Sequence, residues 1–130
     1  MADVLVIDDE EAWRELYVER LTDAGHDVRA ARDGNEALEE MRAKLPDIVV
    51  LDIRMAPSGR HLLRSIMLFW PEVPVVVSSA YGGYRGDADF MRATAFVEKT
   101  PDLGELVDAI AAILDARGGP GAEGERREAV

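Results

Sequence analysis

Two apolar runs in this chain end on carboxylates. Val4-Leu5-Val6-Ile7 leads into Asp8-Asp9, and Ile48-Val49-Val50-Leu51 leads into Asp52. A third run, Val75-Val76-Val77-Ser78, is followed by Ser79-Ala80, and a fourth, Ala95-Phe96-Val97-Glu98, by Lys99. A buried parallel strand that stops on a polar side chain delivers it to the carboxyl edge of the sheet, so these positions converge if the four strands are neighbours. Asp8, Asp9 and Asp52 brought together repel one another and call for a hard cation, and Mg2+ suits a site of carboxylates, a backbone carbonyl and water. A carboxylate beside such a cation and an ammonium can attack a phosphoryl group and form an acyl phosphate, with Asp52 as nucleophile and Lys99 neutralising the phosphoryl oxygens.

Each of these residues has an ordinary structural explanation when taken singly. Asp8 or Asp9 could cap the following helix, Asp52 and Ser79 could close turns, Lys99 could be a solvated loop lysine, and an aromatic residue such as Phe96 in a strand is usually core. Their joint placement at successive strand ends is what points to chemistry. His26 and His61 lack metal-ligand spacing and read as surface residues, Met55, Met67 and Met91 as core filler, and Trp70, Tyr81 and Tyr84 as scattered aromatics.

The elements that must position the set alternate short apolar strands with amphipathic segments, the signature of βα repetition. The first helix is expected over Glu11–Ala24, with Trp13, Leu16, Tyr17, Leu21 and Ala24 as its buried stripe and Gly25 as its stop. Strand two covers Asp27–Ala31. Asp33 and Glu36 form a capping box ahead of a helix to Lys44, and Pro46 separates it from strand three. A helix from Gly59 carries Leu62, Leu63, Ile66 and Phe69. The glycine-rich stretch Tyr81–Gly86 leaves only Asp87–Ala93 for a short or irregular fourth helix. Asp102 and Glu105 are expected to cap the last helix, whose apolar face is Leu106, Ile110, Ile113 and Leu114. Right-handed crossovers then give an α/β, doubly wound, five-stranded parallel sheet with helices on both faces, and its expected flavodoxin-like order, 2-1-3-4-5, rests on family resemblance as much as on the pattern. Residues 1–117 form one domain, and the glycine-rich, charged stretch 118–130 is expected to be a disordered tail.

Composition excludes several classes of function. The 130 residues contain 15 Lys and Arg against 26 Asp and Glu, a net charge of −11, which argues against direct nucleic-acid binding. With no cysteine there is no disulfide framework or thiolate zinc site, and no run is long and apolar enough for a transmembrane helix. The expectation is a cytoplasmic protein with protein partners and no membrane contact.

Val6-Ile7-Asp8-Asp9-Glu10, Val49-Val50-Leu51-Asp52, Ser79-Ala80 and Phe96-Val97-Glu98-Lys99 together resemble the receiver domain of two-component response regulators, over Asp3 to Arg117. The resemblance implies that Asp52 accepts a phosphoryl group from a sensor histidine kinase or phosphotransfer protein. It also implies that Asp8, Asp9, Asp52 and the backbone carbonyl of Arg54 hold Mg2+, that Ser79 and Lys99 bind the phosphoryl oxygens, and that Phe96 is an aromatic switch coupled to Ser79. The implied function is a single-domain phosphorelay regulator that signals to a downstream protein as a monomer or a weak phosphorylation-dependent dimer. It is not an enzyme beyond its own phosphorylation and dephosphorylation.

The chain departs from the family pattern in three places. The loop Arg54–Gly59 is about one residue short, Thr100 stands between Lys99 and Pro101, and the stretch between Ser79 and Phe96 is about two residues short. These departures keep open a pseudo-receiver that binds partners without phosphate. An aspartate-nucleophile phosphatase of the haloacid dehalogenase type is disfavoured because Glu10 or Arg54 follows where the general-acid aspartate should stand. A dinucleotide enzyme is disfavoured by the lack of a glycine fingerprint after strand one.

Overall fold

The structure is a computed structural model and describes residues 2–55, 59–80 and 93–117. Its elements in chain order are β1 (Asp3–Ile7), α1 (Glu11–Asp23), β2 (Asp27–Ala31), α2 (Gly34–Ala43), β3 (Ile48–Asp52), α3 (Gly59–Phe69), β4 (Val75–Ser79), β5 (Ala95–Glu98) and α4 (Gly104–Ala116). All strand pairs are parallel and the order is β2-β1-β3-β4-β5, as expected from the sequence. The order reverses between β1 and β3, which opens a crevice at the carboxyl ends of those two strands. The register aligns Ile7 with Leu51 and Asp52 with Ser78, so the polar residues that follow emerge at a common edge.

Alternation along the strands divides the interior into two cores. Leu5, Ile7, Val49, Leu51, Val75 and Val77 face α2 and α3, where Ala37, Met41, Leu62, Leu63 and Ile66 cover them. Val4, Val6, Ile48, Val50, Val76 and Val97 face α1 and α4, beneath Tyr17, Leu21, Leu106, Ile110 and Leu114. The central strands β1, β3 and β4 are apolar on both sides because both sides are covered, which explains why they read as continuous hydrophobic runs.

Local signals explain most helix ends. Gly25 takes φ +97°, its N–H donates to Thr22 O at 2.9 Å and the His26 N–H donates to Leu21 O at 3.1 Å, the paired bonds that end a helix on a left-handed residue. Asp33 accepts from the Glu36 N–H at 2.9 Å, while Glu36 reaches back to the Arg32 N–H, one residue earlier than a capping box requires.

Three expectations from the sequence need correction. Ala24 is exposed and lies outside α1, because the Gly25 turn lifts the chain away before it can pack. Phe69 is 64% exposed, and Trp70 completes the α3 stripe by packing against the core instead. Asp102 does not cap α4: the N-cap is Leu103, in a left-handed conformation (φ 56°) with no side-chain cap bond. Burial of the Leu103 side chain against the α4 core offsets the cost of that backbone, about 1–2 kcal/mol for a non-glycine residue. The loop Tyr81–Gly86, Met91, all but Ala93 of the expected fourth helix, and the stretch 118–130 lie outside the described residues.

Candidate functional site

β1 ends at Ile7, and Asp8 stays tied to the sheet through its N–H, which donates to Ala31 O at 3.1 Å. The Asp8 carboxylate turns back on its own chain: Oδ1 accepts the Glu10 N–H at 2.9 Å, and Arg14 Nη1 donates to the Asp8 carbonyl at 2.8 Å. The N-cap of α1 is Glu10, without a side-chain cap bond, so helix capping does not account for the Asp8-Asp9 pair. Asp8 is fully buried, whereas Asp9 and Glu10 are exposed at the rim.

Asp52 is the last residue of β3 and is 5% exposed. Its Oδ1 accepts the Arg54 N–H at 3.0 Å, which draws the backbone of Arg54 to the pocket, and its carbonyl accepts the Met55 N–H at 3.3 Å. Gly59 clamps this turn from the start of α3. A Cβ there would stand 2.4 Å from Ile53 O and 2.7 Å from Asp52 O, so only glycine lets the helix approach the phosphoacceptor candidate so closely.

Lys99 joins the two carboxylates. Its ammonium lies 2.7 Å from Asp8 Oδ2 and 3.1 Å from Asp52 Oδ2, with side-chain exposures of 4%, 0% and 6% for Lys99, Asp8 and Asp52. Both are short, charge-assisted contacts in which the Lys99 ammonium donates to a buried carboxylate oxygen, the shorter one to Asp8. Burial pushes the Asp8 carboxyl above its ordinary value, opposed by the Lys99 ammonium and the Glu10 N–H.

Ligand oxygens of Asp8, Asp9, Glu10 and Asp52 all lie within 4.8 Å of one another. Facing these four carboxylates are the Lys99 ammonium and, at the Asp8 carbonyl, the Arg14 guanidinium. An all-oxygen donor set of two buried and two solvent-facing carboxylates fits a hard divalent cation that keeps part of its water shell.

The two serines at the end of β4 take different roles. Ser78 is the register partner of Asp52, and its hydroxyl is paired with the Tyr17 hydroxyl at 2.9 Å. Burial pushes the Tyr17 phenol well up, and the nearby charges of Asp8 and Asp52 add to this, so it stays protonated. Ser79 follows on the opposite side of the strand, the side of Val75 and Val77, and its carbonyl accepts the Lys99 N–H at 2.7 Å. Phe96 is the register partner of Val77 and packs, partly buried, against that same core. Ser79 and Phe96 therefore share one face, while Asp8, Asp52, Ser78 and Lys99 lie toward α1.

Sequence reasoning passed over several residues that border the site. Glu10 reads from sequence as part of a motif and as the residue in place of a general-acid aspartate, yet it belongs to the carboxylate cluster. Trp13 and Tyr17 were assigned to the helix stripe, but Lys99 Nζ stands 4.7 Å from the Trp13 ring centroid and Tyr17 bonds Ser78. Their signal was available: an aromatic pair at i, i+4 one turn after the acidic strand end.

The chain belongs to the response regulator receiver domain family, whose model matches residues 4–111. Among individual relatives, the nitrogen assimilation regulatory protein NtrX of Azorhizobium caulinodans is 36% identical over 110 residues, covering 81% of this chain and 24% of NtrX. The curated relatives are longer proteins, and this chain spans about a quarter of the length of NtrX or of the related ZraR from Salmonella typhimurium. Among solved structures, the response regulator TrrA of Thermotoga maritima in complex with Mg(2+)-BeF superimposes with a TM-score of 0.83 at 32% identity, covering 88% of this chain and all of that one. TrrA in complex with the histidine kinase ThkA matches with a TM-score of 0.82 at the same identity, covering 88% of this chain and 99% of that one.

Proposed function

We propose that this protein is a cytoplasmic phosphorelay regulator that accepts a phosphoryl group on Asp52 and signals to a protein partner by a conformational change. The observation that carries the proposal is the buried triad Asp8–Lys99–Asp52, closed by ammonium contacts of 2.7 and 3.1 Å and surrounded by two further carboxylates. Asp8, Asp9, Asp52 and the Arg54 carbonyl would hold Mg2+, which supplies charge neutralisation at the phosphoryl oxygens. Asp52 attacks phosphorus in line, the bond from phosphorus to the donor's leaving atom breaks, and Lys99 stays protonated beside the new acyl phosphate.

The donor is a sensor histidine kinase or phosphotransfer protein, a reading supported by the ThkA–TrrA complex among the similar structures. The chain's own chemistry is limited to taking up and releasing phosphate, and it acts as a monomer or a weak phosphorylation-dependent dimer. The test is intact mass after incubation with acetyl phosphate and Mg2+: one added phosphoryl group supports the proposal. An unmodified protein would leave it as an interaction module that needs no phosphate.

Loss of a carboxylate ligand should weaken Mg2+ binding more than loss of a phosphoryl contact. Asp9→Ala is expected to raise the Mg2+ dissociation constant about tenfold or more, and Ser79→Ala to leave it nearly unchanged. Titration calorimetry checks this, and the reverse order would reassign the metal ligands.

Output would run through the other face of the sheet. Phosphorylation draws Ser79 toward the new phosphoryl oxygens, which frees space on the side that it shares with Phe96 and lets the ring turn inward. NMR of the protein with beryllofluoride and Mg2+ should show the Phe96 ring resonances shifting with those of Ser79. Changes confined to the acidic pocket would refute the coupling.

A further inference from the structure

Lys99 has a third partner that the phosphoryl chemistry above does not use. Its ammonium lies 4.7 Å from the Trp13 ring centroid, on the α1 side, while the two carboxylates hold it from the strand side. The Trp13 ring is in turn backed by Tyr17, one helical turn on, with ring centroids 5.9 Å apart at 35°. Tyr17 is buried and anchored through its hydroxyl to Ser78 on β4, next to Asp52 in the sheet. A chain of contacts thus runs from the strand beneath the phosphoacceptor, through two aromatic rings, back to the ammonium that serves it.

We propose that Trp13 is a positioning residue for Lys99, holding the ammonium over Asp52 during phosphoryl transfer. The proposal rests on the assignment of Asp52 as phosphoacceptor. Lys99 divides its charge between Asp8 and Asp52, and a divalent cation held by Asp8 would withdraw one of those partners and repel the ammonium. A long lysine side chain released from one carboxylate would sample other rotamers, at a cost in organised charge at the moment of transfer. The indole face is neutral, is not consumed by the cation, and attracts an ammonium most strongly where water is excluded. It therefore keeps Lys99 near Asp52 after Asp8 is taken. No proton moves to or from Trp13: the donor's bond to phosphorus breaks, the Asp52 oxygen–phosphorus bond forms, and Lys99 remains an ammonium throughout.

The experiment measures the rate of acetyl phosphate labelling at saturating donor and Mg2+ for wild type, Trp13→Leu, Trp13→Phe, Lys99→Met and the Trp13→Leu/Lys99→Met double variant. Trp13→Leu keeps an apolar side chain on the partly buried stripe but loses the π face, and should slow labelling about five- to tenfold. Trp13→Phe restores a face and should recover most of that loss, which a purely structural role would not reproduce. In the Lys99→Met background the leucine substitution should slow labelling no further, because the residue through which Trp13 acts is gone. Trp13→Leu labelling at the wild-type rate, Trp13→Phe as slow as Trp13→Leu, or an equal loss in the Lys99→Met background would each overturn the inference. A wild type that takes no label at all overturns the phosphoacceptor assignment and this inference with it. Full wild-type labelling with indifferent Trp13 variants overturns this inference alone.

Discussion

Asp52→Asn is expected to reduce phosphoryl incorporation from acetyl phosphate by at least about a thousandfold, to the background of nonspecific labelling. The substitution is nearly isosteric, and its retained oxygen can still accept the Arg54 N–H that Asp52 Oδ1 accepts at 3.0 Å. It also removes one of the two buried carboxylates that share Lys99, so folding should be preserved or improved. The other acidic residues are poor substitutes. Asp8 is fully buried with its carboxyl pushed toward the neutral form, and Asp9 and Glu10 are solvent-exposed on the rim of the cluster. Intact mass and the position of the modified residue by peptide mapping decide the matter. Equal labelling of the two proteins would move the nucleophile elsewhere in the cluster.

Lys99→Met should produce the largest change in stability. Methionine keeps most of the apolar stem but deletes the charge that faces Asp8 and Asp52, leaving two carboxylates, 0% and 6% exposed, without their counter-ion. Removing one partner from a buried ion pair costs about 3–5 kcal/mol, because the other partner stays desolvated. In metal-free buffer the variant should therefore unfold at a clearly lower denaturant concentration than wild type. Saturating Mg2+ should stabilise the variant more than the wild type, since the cation restores the lost compensation without having to displace an ammonium. Labelling from a small phosphodonor should fall by at least about a hundredfold, because the phosphoryl oxygens lose a charge aimed at them. Denaturant melts in EDTA and in Mg2+ measure the first two effects. A variant as stable as wild type in EDTA would show that the carboxylates are accommodated by water or protonation alone.

The convergence at the strand ends was readable because a parallel sheet converts sequence position into spatial position. Once four apolar runs are neighbours, the residues that follow them share an edge, whatever lies between. Asp8, Asp9, Asp52 and Lys99 needed no other information. Both helical faces followed from the same βα alternation, the strand order from that alternation together with the receiver resemblance, and Gly25 and Asp33 placed helix ends through local hydrogen bonds that depend on only a few residues.

Other features depended on contacts between distant parts of the chain. Asp102 looked like a cap, but burial of Leu103 against the α4 core set the backbone there, and a buried leucine outweighs a surface cap. Phe69 reads as the end of the α3 stripe and Trp70 as a scattered aromatic, and packing reverses the two. The two serines of β4 are adjacent in sequence and alike in chemistry. Register puts Ser78 opposite Asp52 and under the Tyr17 hydroxyl, and alternation sends Ser79 to the side of Phe96. Trp13 likewise reads as one more apolar residue of a helix stripe until α1 packs across the sheet and sets its ring 4.7 Å from the Lys99 ammonium. The sequence by itself determined which charges meet, because strand ends and parallel pairing require it. Only the tertiary structure decided what surrounds those charges, because the neighbours come from helix faces whose rotation and approach are set by packing against the whole sheet.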